Sequence, residues 1–127
     1  MKLVVGVGVD IVELERIRNI RARHRFAEFF LTPFELGILK KANDPIQFLA
    51  SRFAVKEATI KAFPEPLTPH EFEVRKQGKK PVLKFLNPKN ERRYHAAVSL
   101  SHSTQYAAGA AVVTKRENLA CEYTSVV

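Results

Sequence analysis

Apolar and small residues alternate over residues 2–10. Leu3, Val5, Val7 and Val9 fall on one face of an extended chain, with Val4, Gly6, Gly8 and Asp10 on the other. This predicts a strand whose second face is low beside Asp10, so that another backbone or a ligand approaches there. From Glu13 to Phe30 the period becomes helical. Leu14, Ile17, Ile20, Phe26, Phe29 and Phe30 make the apolar side, and Arg16, Arg18, Arg21, Arg23 and Arg25 the cationic one. Thr32-Pro33-Phe34-Glu35 restarts a helix that runs to about Lys41, with Thr32 as cap, Pro33 at the first position and Glu35 completing a capping box. Asp44-Pro45 opens a longer helix, free of glycine and proline to about Phe63, which Pro64, Pro66 and Pro69 end.

Strand-like pieces follow at Glu71–Lys76 and Pro81–Leu86, joined by a turn at Gln77-Gly78-Lys79-Lys80. Asn87-Pro88 begins a brief helix through Arg93. Residues 94–101 and 105–114 read as a hairpin around Ser103-Thr104. Its second strand, Tyr106–Val113, is apolar on both faces, so cover is expected on both. A strand, then helices, then a run of strands predicts an α+β fold, a compact single domain over residues 1–127 with an antiparallel sheet packed on the long helix.

A hydrophobic share of 46% with 27% charged residues excludes a disordered chain. The longest apolar run, in the Ala107–Val113 region, is far too short to span a bilayer, so no membrane partner is expected. The N-terminal stretch lacks a small-residue cleavage site and is broken by Gly6, Gly8 and Asp10, so it reads as a strand and not a signal peptide. Cys121 is the single cysteine, which excludes an intramolecular disulfide and a cysteine zinc cluster and makes a reducing cytoplasm the simplest location. A net charge of +8 favours acidic partners, whether nucleic acid, an anionic membrane, phosphorylated ligands or an acidic protein, and does not choose among them.

Several residues could carry chemistry. Asp10 ends an apolar strand, Glu57 and Lys61 lie one helical turn apart, and His102 follows Ser101 on a strand. Two carboxylates from separate elements could hold Mg²⁺, and a lysine beside them could neutralise phosphate charge. Each has an ordinary structural alternative as well. Residues four apart on a helix commonly form a surface salt bridge, an aspartate at a strand end is a turn former, and a strand histidine is usually structural.

The stretch Gly6-Val7-Gly8-Val9-Asp10-Ile11-Val12-Glu13-Leu14-Glu15-Arg16-Ile17 resembles the N-terminal motif of the holo-acyl-carrier-protein synthases. Phe48 to Phe63, with Phe53, Lys56-Glu57-Ala58 and Lys61 at its centre, is similar to that family's second motif. Val98-Ser99-Leu100-Ser101-His102-Ser103 with Tyr106-Ala107-Ala108 is similar to its third. The resemblance covers nearly the whole chain in order. It implies an enzyme that transfers 4′-phosphopantetheine from coenzyme A to a serine of apo-acyl carrier protein and releases 3′,5′-ADP, in support of fatty acid biosynthesis. It further implies Asp10 and Glu57 as Mg²⁺ ligands, and Asp10, Glu57 and Lys61 as the catalytic group. Arg52, Lys61, Pro81 and His102 would meet coenzyme A, and Arg16 and Arg23 would dock the acidic carrier. A homotrimer with sites between protomers is the implied assembly.

The sequence departs from the family after Phe63, where Pro64-Glu65-Pro66 replaces a glycine-containing turn, and the pocket near that turn is expected to differ. Ala42-Asn43-Asp44-Pro45 also lacks basic residues that relatives place before the long helix. A nucleic-acid-binding module would suit the charge and the arginine series, but no recognised nucleic-acid motif is present. A non-catalytic binder of coenzyme A would suit the altered turn, but Asp10, Glu57, Lys61 and His102 are all retained.

Overall fold

A computed structural model describes residues 3–116; Cys121 lies outside them. The elements run β1 (Leu3–Glu13), α1 (Leu14–Arg18), α2 (Arg23–Phe30), α3 (Pro33–Leu39) and α4 (Pro45–Ala62). A 3₁₀ turn (Pro69–Glu71) leads into β2 (Phe72–Gln77) and β3 (Lys80–Phe85), then α5 (Pro88–Arg93), β4 (Tyr94–His102) and β5 (Tyr106–Lys115). Two antiparallel sheets result, a three-stranded one in the order β1-β5-β4 and a β2-β3 hairpin.

The local signals explain most boundaries. Thr32 and Glu35 form the expected capping box, and Asp44 Oδ1 accepts from the Gln47 N–H at 3.1 Å to open α4. Asn87 caps α5 through the Lys89 N–H at 2.9 Å. Gly78, at φ 64°, turns the β2-β3 hairpin with a backbone conformation that other residues resist.

Two expectations are corrected. The helix read from Glu13 to Phe30 is two short helices, because β1 continues to Glu13 and the chain breaks between Arg18 and Arg23. Strand pairing holds β1 extended to that point, since Val12 pairs with Ala107 and Glu13 with Tyr106. Val5 also leaves the face it was given. A bulge lies between Val4 and Gly6, and Val5 packs partly buried against the core, while Val7 and Val9 stay exposed.

The glycines of β1 and β5 set the spacing between sheet and long helix. A Cβ at Gly6 would overlap the Ala62 carbonyl and one at Gly8 the Ala58 carbonyl. One at Gly109 would crowd the backbone of Ala54 and Val55. The helix answers with Ala54, Ala58 and Ala62, all buried, so two backbones meet with almost no side chain between them. Larger residues fill the core on either side: Phe63, Phe72, Phe85 and Tyr94 in one cluster, and Leu14, Ile17, Phe30 and Leu49 in the other. The opposite face of the three-stranded sheet is open. Val7, Val9, Ile11 and Val112 are exposed on it.

Candidate active site

A cavity of about 780 Å³ opens beside the N-terminal half of α4. Its walls include Phe34 of α3, Gln47 and Arg52 of α4, Pro81 of β3 and His102 of β4. Lys41 and Lys79 also line it, so the cavity is cationic. Arg52 is the group that most constrains its use. The residue is 5% exposed, and its Nε is buried without a hydrogen-bond partner. The guanidinium carbon lies 4.7 Å from the Phe48 ring centroid, one helical turn back. Burial lowers the Arg52 pKa, and the negative charge of Glu35 opposes that shift. Arg52, Lys41, Arg75, Lys76 and Lys79 together give the lining a positive charge that favours an anionic ligand.

A second group gathers at the β1 margin. Asp10 follows Gly8 on the face of β1 that meets α4, and Lys61 reaches it from the last turn of that helix. Lys61 Nζ donates to Asp10 Oδ1 at 3.0 Å and to the Val9 carbonyl at 3.3 Å. Glu57 stands one turn before Lys61 on the same flank of α4. Two carboxylates from two elements, one of them paired with a lysine, are a donor set that suits a hard divalent cation. Among the described residues no group of three or more histidine, cysteine, aspartate or glutamate side chains could form a metal cage. Two carboxylates could hold a cation such as Mg²⁺ that keeps water or phosphate oxygens in most of its coordination positions.

The residues singled out in the sequence thus divide. Arg52, Pro81 and His102 line the cavity, while Lys61, grouped with them as a coenzyme A contact, stands with Asp10 and Glu57. Arg52 and Glu57 are five positions apart on α4, which puts them about 140° apart around the helix. Arg16 and Arg23 are exposed on α1 and α2, so they do not share one helical face. Pro64-Glu65-Pro66 does not line the cavity; Glu65 pairs with Arg93 at 3.5 Å.

Sequence reasoning missed Gln47 and Phe34, and it missed a buried ion pair beside Glu57. Lys56 Nζ lies 2.6 Å from Glu35 Oε1, with both side chains at most 1% exposed. The same ammonium donates to the carbonyls of Phe30, Pro69 and Phe72 at 2.8, 2.6 and 3.0 Å. Glu35 Oε2 accepts from the Val74 N–H at 2.9 Å. Burial lowers the Lys56 pKa, and Glu35 opposes the shift. The capping box had already accounted for Glu35, so no local pattern revealed its second role. Phe48 beneath Arg52 had a legible signal, its spacing of four on a helix.

The chain matches a family model, the 4′-phosphopantetheinyl transferase superfamily, over residues 6–111. A holo-[acyl-carrier-protein] synthase of Maridesulfovibrio salexigens is 37% identical over 125 residues, which cover 89% of this chain and 100% of that protein. The crystal structure of a holo-(acyl-carrier-protein) synthase from Bacillus anthracis in complex with CoA (3′,5′-ADP) is similar with a TM-score of 0.75 and 32% identity, covering 91% of this chain and 99% of that one. The Helicobacter pylori holo-[acyl-carrier-protein] synthase in complex with coenzyme A is similar with a TM-score of 0.72 and 28% identity, covering 84% and 98%.

Proposed function

The chain belongs to the 4′-phosphopantetheinyl transferase superfamily, and from that premise we propose that it is a holo-acyl-carrier-protein synthase. It moves 4′-phosphopantetheine from coenzyme A to a serine of apo-acyl carrier protein and releases 3′,5′-ADP. The observation that carries this reading is a cationic cavity of about 780 Å³, a volume suited to a nucleotide-sized ligand, with the nearly buried Arg52 in its wall. The named relatives and the coenzyme A complexes of similar structures support the same substrates.

Each group then has a task. Arg52, Lys41 and Lys79 bind the anionic nucleotide end, while Pro81 and His102 bound its space. The serine oxygen bonds to the β-phosphorus as the bond from that phosphorus to the bridging oxygen breaks, and the electron pair leaves on 3′,5′-ADP. The serine proton passes to a base: Glu57, Asp10 or water. Asp10 and Glu57 would hold Mg²⁺, which when bound neutralises diphosphate charge. Lys61 lies against Asp10 and stabilises charge on the departing phosphate. Most of the acceleration asked of these groups is alignment and charge neutralisation.

The separation of cavity and carboxylates around α4 supports a homotrimer in which the cavity of one protomer faces Asp10, Glu57 and Lys61 of a neighbour. The open apolar face of the sheet supplies a surface for that contact, with Val7, Val9 and Ile11 each more than 60% exposed. Service to fatty acid biosynthesis in the cytoplasm belongs to the same reading. Among the described residues no helix is long and apolar enough to cross a membrane.

Incubation with coenzyme A, Mg²⁺ and apo-acyl carrier protein tests the function. Intact mass spectrometry should show the carrier gaining one phosphopantetheine, and a carrier of unchanged mass would sink the proposal.

A further inference from the structure

Gln47 and His102 meet on the wall of the cavity, one from the first turn of α4 and the other from the end of β4. Gln47 Nε2 lies 2.8 Å from His102 Nδ1. With the Gln47 amide placed this way round its nitrogen donates, and Nδ1 accepts through its lone pair. The single ring proton of a neutral imidazole then sits on Nε2.

Both backbones are held firmly. The Gln47 N–H is capped by Asp44 at 3.1 Å, and the hairpin after His102 closes with the Ser103 N–H on the Tyr106 carbonyl at 2.8 Å. Ser103 Oγ adds bonds from the N–H groups of Gln105 and Tyr106 at 3.2 and 3.1 Å. The His102 side chain, by contrast, is exposed, so packing does not set its ring orientation. Among the described residues the ring's hydrogen bond is the one with Gln47.

Resting on the function proposed above, we infer that Gln47 is a positioning residue. It holds His102 as the Nε2–H tautomer and presents that proton as a directional donor to a phosphate or ribose oxygen of coenzyme A. The surrounding Lys41, Arg52 and Lys79 supply charge, which attracts the ligand without orienting it.

Nitrogen-15 NMR of histidine-labelled full-length chain tests the tautomer directly. His102 should carry its proton on Nε2, and Gln47→Met should give a mixture of tautomers. Gln47→Met should also raise KM for coenzyme A by about threefold to tenfold, the effect of one lost hydrogen bond, with carrier KM unchanged. In a His102→Ala background the same substitution should add nothing, because Gln47 acts through the ring. A wild-type chain that binds coenzyme A but has the proton on Nδ1 overturns this inference alone, as do independent effects of the two substitutions. A wild-type chain that binds no coenzyme A in calorimetry overturns the function it rests on, and the inference with it.

Discussion

Asp10 is only 17% exposed by its side chain and already meets one cation, Lys61. It sits where α4 and β1 touch through glycine and alanine, so it contributes charge to the margin and little apolar packing to the core. Asp10→Ala and Glu57→Ala should each lower kcat/KM by about 10²–10³ while leaving the thermal midpoint nearly unchanged. Steady-state kinetics at limiting Mg²⁺ with a melting curve decide this; near wild-type transfer by either variant would remove the site. Lys56, the residue just before Glu57, should behave in the opposite way. Lys56→Met strands Glu35 without its partner in the core, and the expected cost is about 3–5 kcal/mol. Urea unfolding should show that loss, and the Glu35→Gln/Lys56→Met pair should cost less than the two single changes added together. Equal additive losses would mean that the ion pair is not the coupling.

At the scale of elements, α4 is both the core helix and the carrier of Arg52, Glu57 and Lys61. Its depth against the sheet is set by glycines, so a methyl group should be felt at the site. Gly8→Ala would push backbone against the Ala58 carbonyl, with an expected cost of about 1–3 kcal/mol and lower activity in the fraction that folds. Wild-type stability in denaturant would refute the close contact. The arginine-bearing segment is also an element-scale matter. Its break into α1 and α2 spreads Arg16 and Arg23 over two short helices, while Arg18 is engaged by Glu15 at 2.7 Å. Exposed charges act chiefly on association rate and are screened by salt. Arg16→Glu and Arg23→Glu should therefore raise the carrier KM and flatten its salt dependence, with little change in KM for coenzyme A. If the carrier KM and salt slope stay unchanged in both variants, the carrier docks elsewhere.

At the scale of the whole molecule, the open sheet face and the divided site make one prediction. Val9→Asp places a charge in the proposed contact, and the variant should run as a monomer in light scattering and lose transfer activity. A wild-type chain that is itself a stable monomer at micromolar concentration would overturn the trimer. The alternation that makes strands and the capping residues that start α3, α4 and α5 were legible along the chain, because each depends on neighbours close in sequence, whereas Asp10, Glu57, Lys61, Arg52 and His102 were singled out as a set by their positions in the family's motifs. The same local reading failed where distant pairing won. Partners on β5 kept β1 extended to Glu13, against a helical period that began there. The two-faced apolar strand at Tyr106–Val113 has α4 against only one of its faces, while Val112 on the other is exposed. Which residues share a site was decided only in three dimensions. Arg52 and Glu57 belong to one motif, yet the rotation of α4 sends them to different surfaces. Gln47 and His102, 55 positions apart, meet only because β4 returns to the start of that helix.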